Sequence, residues 1–350
     1  MNFLSKRAEQ LTPYTAGEQP KGRTFVKLNT NENPYPPSPA IHPAIARAAE
    51  QLRLYPDPVS SELREAIASG EKLDPACVFC GNGSDEVLSL SFYAFFDGDR
   101  PLLFPDVTYS FYPVYAGFYG LPVRRMLLNE RFEIEPEDYL QPASGVIFPN
   151  PNAPTGIELG QDAIRRLLEY HSGRVVAVDE AYVAFGAASA ASLIDRYPNL
   201  LVLRTFSKSH SLAGLRVGYA LGQPHLIEGL VRVKDSFNSY PVDRIAAAAA
   251  RAAILDTAYY AGINAKVAAT RDRFSRQLAE LGFTVPPSKA NFVFATHPQA
   301  NAATLLRELK ERGILVRHFA LPRIDNFLRI SIGSDEDMDK LARELAGLLR

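Results

Sequence analysis

Four short stretches of the chain hold side chains that could do chemistry. Lys208 stands between two serines in "TFSKSHSLAGLRVGY" (205–219), and Arg216 follows eight residues later in a run rich in Ser, Gly and Ala. Asp179 closes the apolar run "RVVAV", with Tyr182 three residues on. "GNGSDE" (81–86) offers Gly83 and Ser84 in a glycine-rich turn, and "PNPNAPTG" (149–156) offers Asn152. Solvation poorly explains a lysine among small residues. Desolvated, it loses proton affinity, and its amine becomes a nucleophile able to form a Schiff base. A carboxylate that ends a buried strand is costly alone, so a partner is expected. Free backbone N–H groups in a glycine turn ahead of a helix suit a phosphate, although the same turn could simply cap the helix. Asp85 and Glu86 would repel an anion there unless they point away.

One cofactor asks for this set together. Pyridoxal 5'-phosphate needs a lysine for its aldehyde, an acid for its ring nitrogen, donors for its phenolic oxygen and a cradle for its phosphate. Lys208 would hold the aldehyde, and Asp179 would keep the ring nitrogen protonated. Ser207 and Arg216 would bind the phosphate, and the Gly/Ala run would let the backbone approach closely.

The elements that must position these residues can be read from the same sequence. "ACVFC", "GVIF", "RVVAV" and "NLLVLRTF" are short apolar runs of strand type, separated by helical patterns such as "SDEVLSLSFYAFF" and "DAIRRLLEY". That alternation predicts an α/β fold with a mostly parallel sheet covered by helices on both faces. Such sheets bind ligands outside the carboxyl ends of their strands, which is where all four stretches fall. Residues 1–38 read as an N-terminal arm, extended because four prolines lie between Pro34 and Pro39. Residues 39–240 read as the large domain. From 241 the texture changes to "DRIAAAAARAAILD", a long helical segment over 258–281, the strands "ANFVFAT", "GILVR" and "FLRISIG", and a closing helix. These predict a smaller C-terminal α/β domain over 241–350.

Bulk properties exclude other classes. A formal net charge of −1, with no Lys/Arg-rich block, leaves no electrostatic footprint for nucleic acid. No apolar run approaches the roughly 20 residues of a membrane span. The opening "MNFLSKRAEQLTPY" lacks the apolar stretch of a signal peptide, so a cytoplasmic protein is expected. Cys77 and Cys80 form a C-x-x-C without a second pair or nearby His, and read as two small buried residues; no metal is expected. "GNGSDE" lacks the third glycine of a dinucleotide fingerprint and the Lys-Ser/Thr of a P-loop.

With "LTPY", "LNTNENPYPPSP", "LYPDPVSSELREAIA", "NPNAPTG", "VDEAYVAF", "RTFSKSHSLAGLRVGYA" and "FLRISIG", the sequence resembles the fold-type I pyridoxal-phosphate aminotransferases over essentially its whole length. Among them it resembles the histidinol-phosphate aminotransferase family. The resemblance implies Lys208 as the Schiff-base lysine, Asp179 as the pyridinium partner and Tyr182 near the phenolic oxygen. It implies Tyr109, in "PDVTYSFY", as the aromatic stacked on the ring, although a core aromatic fits the same aromatic-rich stretch. Gly83, Ser84, Ser207 and Arg216 match the phosphate cradle. Tyr55, in "YPDP", resembles the residue that a neighbouring subunit lends to the phosphate, which implies a homodimer with shared active sites. One departure stands out. Many relatives place an asparagine on the phenolic oxygen from the position just before Pro-Thr-Gly, and here that residue is Ala153. Either Asn152 takes over that contact, or Tyr182 acts with a water. His210 reads as a spacer, because the lysine itself can shuttle the proton.

In "FLRISIG", Phe327, Arg329 and Ser331 share one face of a strand. Arg329 is then either solvent-facing or an anion clamp. By resemblance, Arg329 and Arg317 hold the phosphate of histidinol phosphate and a carboxylate of glutamate. Tyr14 closes over the substrate, and Asn291 supports Arg329 or the cofactor edge, or caps a strand. The implied substrates are a phosphorylated amino alcohol, glutamate and 2-oxoglutarate. The implied reaction exchanges an amino group between L-histidinol phosphate/imidazole-acetol phosphate and glutamate/2-oxoglutarate, in histidine biosynthesis. The same cofactor residues would also serve a threonine-phosphate decarboxylase-like lyase or an aromatic amino-acid aminotransferase.

Overall fold

The computed structural model describes residues 3–349 apart from 16, 20, 21 and 23. The ends of the expected arm and small domain (1, 2 and 350) thus lie outside the described residues, as do those four positions in the arm. The arm carries a one-turn helix α1 (Lys6–Glu9) and a two-residue strand β1 (Val26–Lys27), followed by α2 (Ile41–Ala49) and α3 (Ser61–Glu71). Then come β2 (Val78–Gly81), α4 (Gly83–Phe95), β3 (Leu102–Pro105), α5 (Tyr112–Tyr119), β4 (Val123–Met126) and β5 (Gly145–Pro149). The large sheet is completed by β6 (Val176–Asp179), β7 (Leu200–Thr205) and β8 (Gly218–Leu221), with α6 (Gln161–Tyr170) before β6 and α7 (Pro224–Phe237) after β8.

The seven strands β2 to β8 form one sheet in the order β2-β8-β7-β6-β5-β3-β4. It is the expected mostly parallel sheet: β8 alone runs against its neighbours β2 and β7. Its strands other than the exposed edge strand β4 are largely apolar on both faces because both are covered. Val176 and Val178 enter one core with Val146, Phe148, Leu200 and Val202, while Ala177 joins Ile147, Leu201 and Leu203 in the other. The helix α6 seals the first face with Ile164, Leu167 and Leu168, the i, i+3, i+4 spacing of a helical stripe. The helices α4, α5 and α7 seal the second.

The strand β8 lies outside the apolar runs marked in the sequence, and its direction matters. An antiparallel partner can return without a crossover helix. The chain therefore leaves β7 and re-enters the sheet at Gly218 after only residues 206–217, closed by the Phe206 N–H donating to the Val217 carbonyl at 3.0 Å. This connection carries both Lys208 and Arg216.

The second unit contains α8 (Arg244–Leu255), α9 (Thr257–Glu280), β9 (Phe292–Ala295), α10 (Ala302–Glu311), β10 (Ile314–Leu315), β11 (Arg317–His318), β12 (Leu328–Ser331) and α11 (Asp335–Leu348). A division at 241 does not follow the packing. The alanine face of α8 (Ala246, Ala249, Ala250, Ala253) is buried in the core of the large sheet, as are Tyr260 and Ile263 of α9. Val267 and Phe274 of the same helix belong to the small-domain core. The chain thus changes domain within one turn of α9. Leu28 of the arm also packs in the small-domain core, and β1 pairs with β10. "GILVR" splits into β10 and β11, which join different sheets: β11-β12-β9 is an antiparallel sheet of its own. A polar tie spans the domains, with Arg323 donating to the Asp106 carboxylate at 2.6 Å and to the Leu128 carbonyl at 2.7 Å.

The approach of β8 to the start of α4 is close enough to test. A Cβ on Gly218 would lie 2.5 Å from the Gly83 carbonyl carbon and 2.8 Å from Ser84 Cα, backbone atoms that cannot swing aside. Gly218→Ala is expected to lower stability by about 1–3 kcal/mol or more, read from the urea midpoint. Gly214→Ala, where a Cβ meets nothing within 4 Å, is the matched control and should leave the midpoint nearly unchanged.

Candidate active site

The carboxyl ends of β5, β6 and β7 open into a cavity of about 270 Å³, roofed by arm residues and by β11 and β12. Asp179, Tyr182, Tyr109, Ser84, Ser207, Lys208, Arg216, Tyr14, Arg317 and Arg329 all line it. Residues 315 positions apart in sequence are thus brought to one place. Gly83, Asn152, Asn291 and Tyr55 stand outside the lining, each for an identifiable reason.

Lys208 projects from the β7–β8 connection and donates from Nζ to the Thr30 carbonyl of the arm at 2.9 Å. Burial lowers its pKa to about 8, and the Arg329 charge works in the same direction. Asp179 is buried at the end of β6. Its Oδ1 accepts from the Ala181 N–H and its Oδ2 from the Tyr112 hydroxyl, both at 3.1 Å. It has no ion-pair partner among the described residues. Burial pushes its pKa up to about 6, and the two donated hydrogen bonds only partly offset this. A cation beside this carboxylate would remove most of that cost. The protonated ring nitrogen of pyridoxal phosphate is such a cation.

The expected cradle is assembled from two elements. Gly83 begins α4 at φ +77°, and a Cβ there would collide with Arg216 Nη2 at 2.6 Å. The positive φ favours glycine, whereas the Arg216 tip could shift, and the contribution of Gly83 is backbone rather than a side chain in the cavity. Arg216, itself in the left-handed region at φ +53°, reaches Ser207 Oγ at 3.4 Å and Asp85 Oδ2 at 2.8 Å. Strain of this kind in a non-glycine residue is characteristic of functional positions. Asp85 thus lines the cavity, where it also accepts from Tyr109 Oη at 3.0 Å, whereas Glu86 turns back to cap Asn82 N–H. The first-turn N–H groups of α4, Ser207 and Arg216 together fit a phosphate.

Tyr109 lies in the cavity wall, edge-on to the buried Tyr112 ring. Tyr14 stacks on Phe111 at 4.5 Å. Arg329 donates to the Asn29 carbonyl at 2.9 Å, and its Nε is buried without a partner. Arg317 reaches the Thr15 carbonyl at 3.4 Å. Neither arginine meets a carboxylate among the described residues. Of the two faces open to Arg329 from the strand alternation, the structure gives it the cavity rather than solvent.

Asn152 is turned away: its Nδ2 donates to the Val107 carbonyl and to Thr155 Oγ1, both at 3.0 Å, and Ala153 lines the cavity in its stead. Asn291 is buried beneath the arm, donating to the Asn31 carbonyl at 3.0 Å. Tyr55 is 79% exposed and stacks on Tyr240 at 4.9 Å, free to be presented to another molecule. Cys77 and Cys80 are both buried and unbonded.

Sequence reasoning missed Tyr112, the donor to Asp179, because it is one aromatic among many in "TYSFYPVYAGFY". It also missed Asn31. This residue donates from Nδ2 to Tyr182 Oη at 3.0 Å and accepts at Oδ1 from Ser331 Oγ at 2.8 Å. The signal available was the asparagine-rich "LNTNENP", in which Leu28, Asn29 and Asn31 end up buried.

Comparison with known proteins gives a consistent result. The family described as aminotransferase class I and II matches residues 23–345. A histidinol-phosphate aminotransferase of Acinetobacter baumannii is 54% identical over 349 residues, covering 99% of this chain and 97% of that protein. Histidinol-phosphate aminotransferase 1 of Bradyrhizobium diazoefficiens is 56% identical over 347 residues, 99% of each. Among solved structures, histidinol-phosphate aminotransferase from Sinorhizobium meliloti in complex with pyridoxal-5'-phosphate is similar with a TM-score of 0.87 at 26% identity, covering 100% of this chain and 98% of that one.

The raised pKa of Asp179 has a signed consequence. Its folded-state value, about 6, exceeds the ordinary carboxylate value of about 3.9. The charged form therefore costs stability in full above pH 6, and the cost fades as pH falls towards 4. Asp179→Asn relieves about 3 kcal/mol of this and loses one acceptor worth about 1 kcal/mol. The cofactor-free variant is expected to gain on the order of 2 kcal/mol at pH 7 and to lose that gain near pH 4, measured by urea unfolding at both pH values. Equal stability of variant and parent at pH 7 would contradict the unpartnered carboxylate.

Proposed function

The chain belongs to the class I and II aminotransferases, and from that premise we propose that it exchanges an amino group between L-histidinol phosphate and 2-oxoglutarate. The observation that carries this reading is the pair Arg329 and Arg317, guanidinium groups in the cavity wall without a carboxylate partner among the described residues. A desolvated cation is costly until an anion meets it. A substrate with a phosphate supplies that anion at a position away from the reacting nitrogen, and the second carboxylate of glutamate does the same. The relatives at 54% and 56% identity, matched over nearly their whole length, bear the same activity in their names.

The enzyme depends on pyridoxal 5'-phosphate, whose ring, when bound, accepts the electron pair left on the substrate carbon as its proton departs. The chain's own residues do the rest. Lys208, with a pKa of about 8, can give up and retake a proton near neutral pH, which suits a general acid–base at the substrate carbon. Asp179 would hold the proton on the ring nitrogen, and Tyr182 would donate to the phenolic oxygen. Ser84, Ser207, Arg216 and the first turn of α4 would fix the phosphate, with Asp85 orienting Arg216. Tyr109 would cover the ring, and Tyr14 with the arm would exclude water. Exposed Tyr55 would complete the phosphate site of a second copy in a homodimer. An enzyme of these water-soluble metabolites belongs in the cytoplasm.

Rapid mixing of the cofactor-loaded protein with each amino donor separately tests the reading. L-Histidinol phosphate and L-glutamate are expected to convert the cofactor to its amino form, L-phenylalanine slowly and threonine phosphate not at all. Arg329→Ala should slow both productive conversions ten- to a hundredfold, the usual size of a charge-assisted contact of about 1.5–3 kcal/mol. Fast conversion by phenylalanine would make the protein an aromatic amino-acid aminotransferase, and carbon dioxide release from threonine phosphate would make it a lyase.

Shared sites have their own test. Lys208→Ala and Tyr55→Ala chains, unfolded, mixed equally and refolded together, should regain about a quarter of the intact sites through mixed dimers. No activity above that of the separate variants would mean that Tyr55 serves no neighbour.

A further inference from the structure

The stretch before Pro154 leaves the phenolic-oxygen side of the cavity with no amide: Ala153 lines it, and both donor contacts of Asn152 are spent on Val107 and Thr155. An amide does reach this place, from the arm. Asn31 is 1% exposed and lines the cavity. Its orientation is fixed. The Ser331 hydroxyl accepts from the Asn31 backbone N–H at 2.8 Å and donates to Asn31 Oδ1 at 2.8 Å. The nitrogen end of the amide must then face Tyr182, and it donates to Tyr182 Oη at 3.0 Å. A hydroxyl oxygen that accepts from Asn31 has its own proton to place elsewhere. No protein acceptor for that proton is present among the described residues, and the cavity is the direction left.

We propose that Asn31 is a positioning residue for Tyr182: its amide locks the Tyr182 hydroxyl as a donor directed into the cavity, supplying from the arm what the residue before Pro-Thr-Gly does not. The proposal rests on Tyr182 facing the phenolic oxygen of bound pyridoxal phosphate. Donation from Asn31 also polarises the phenol. It acts against burial, which raises the pKa of Tyr182, and in the same direction as the Arg329 charge. A better donor stabilises negative charge on the phenolic oxygen. Less electron density then remains for the nitrogen joined to Lys208, and that nitrogen gives up its proton at lower pH. Other charged or titrating groups around the cavity are Asp179 at the end of β6, Lys208, Asp85 and Arg216 at the phosphate end, Arg329 and Arg317 on the small domain, Tyr109, and Tyr14 and Glu32 from the arm. They remain in place in the variants below.

The test is a pH titration of the visible absorption of the reconstituted protein. Asn31 sits at φ +58°, so Asn31→Gly keeps the backbone without strain, and Asn31→Asp keeps the side-chain size in case glycine loosens the arm. Each is expected to raise the absorption midpoint by about half to one pH unit, a three- to tenfold gain in proton affinity. In Asn31→Gly/Tyr182→Phe the shift should equal that of Tyr182→Phe alone, because the two act as one unit. An unmoved midpoint in both single variants, with unfolding curves like the parent's, overturns the proposal. So does a glycine shift that adds fully to that of Tyr182→Phe. Loss of the cofactor reading looks different: the parent would show no visible band that disappears in Lys208→Ala, and this inference would fall with it.

Discussion

A buried charge short of its counterion is the constraint on which the rest of the site depends. The Asp179 carboxylate ends a central strand with only two neutral donors, and Lys208 and Arg329 are desolvated across the same cavity. None of these groups is in its lowest free-energy surroundings in the protein alone. Burial raises the acid towards neutrality and lowers the lysine towards neutrality, so both approach the pH at which an enzyme works. The fold tolerates this because the carboxylate is set into a seven-stranded sheet with a full core on either face.

The arm holds this arrangement closed. Between Asn29 and Asn33 it offers carbonyls to Arg329, Lys208 and Asn291, an amide to Tyr182 and another to the Lys208 carbonyl. A segment that would read as a loop thus supplies contacts to both domains and to the cavity. The cost of ordering it is offset by backbone groups finding specific partners, together with burial of Leu28.

Part of this was legible because several of the chemical residues end or closely follow an apolar strand, and a strand end fixes where its neighbours point. Asp179, Lys208 and Ser84 are placed by that rule. The remainder lacked a local signal. "GYAL" is as apolar as any parallel strand, so the reversal of β8 left no trace in composition. The alanines of α8 bury a face too small to indicate which core receives it, and only packing assigns them to the large sheet. Asn31 and Ser331 lie 300 residues apart, a pairing that spacing cannot reveal. Spacing alone cannot say where the Asn152 amide turns; in the fold its Nδ2 goes to Val107 and Thr155.

The crossing points of the chain between its two cores have a mechanical meaning. Among the described residues the arm crosses between Leu28 and Ile41 and α9 crosses between Ile263 and Val267, while Ala153, Tyr182 and Phe185, after β5 and β6, also reach into the small-domain core. The two cores are therefore stitched together at several places. Arg323 adds a polar tie from the small domain to Asp106 and to the Leu128 carbonyl. A cavity built across such a seam takes a wall from each core, so its shape is only as constant as the fastening between them.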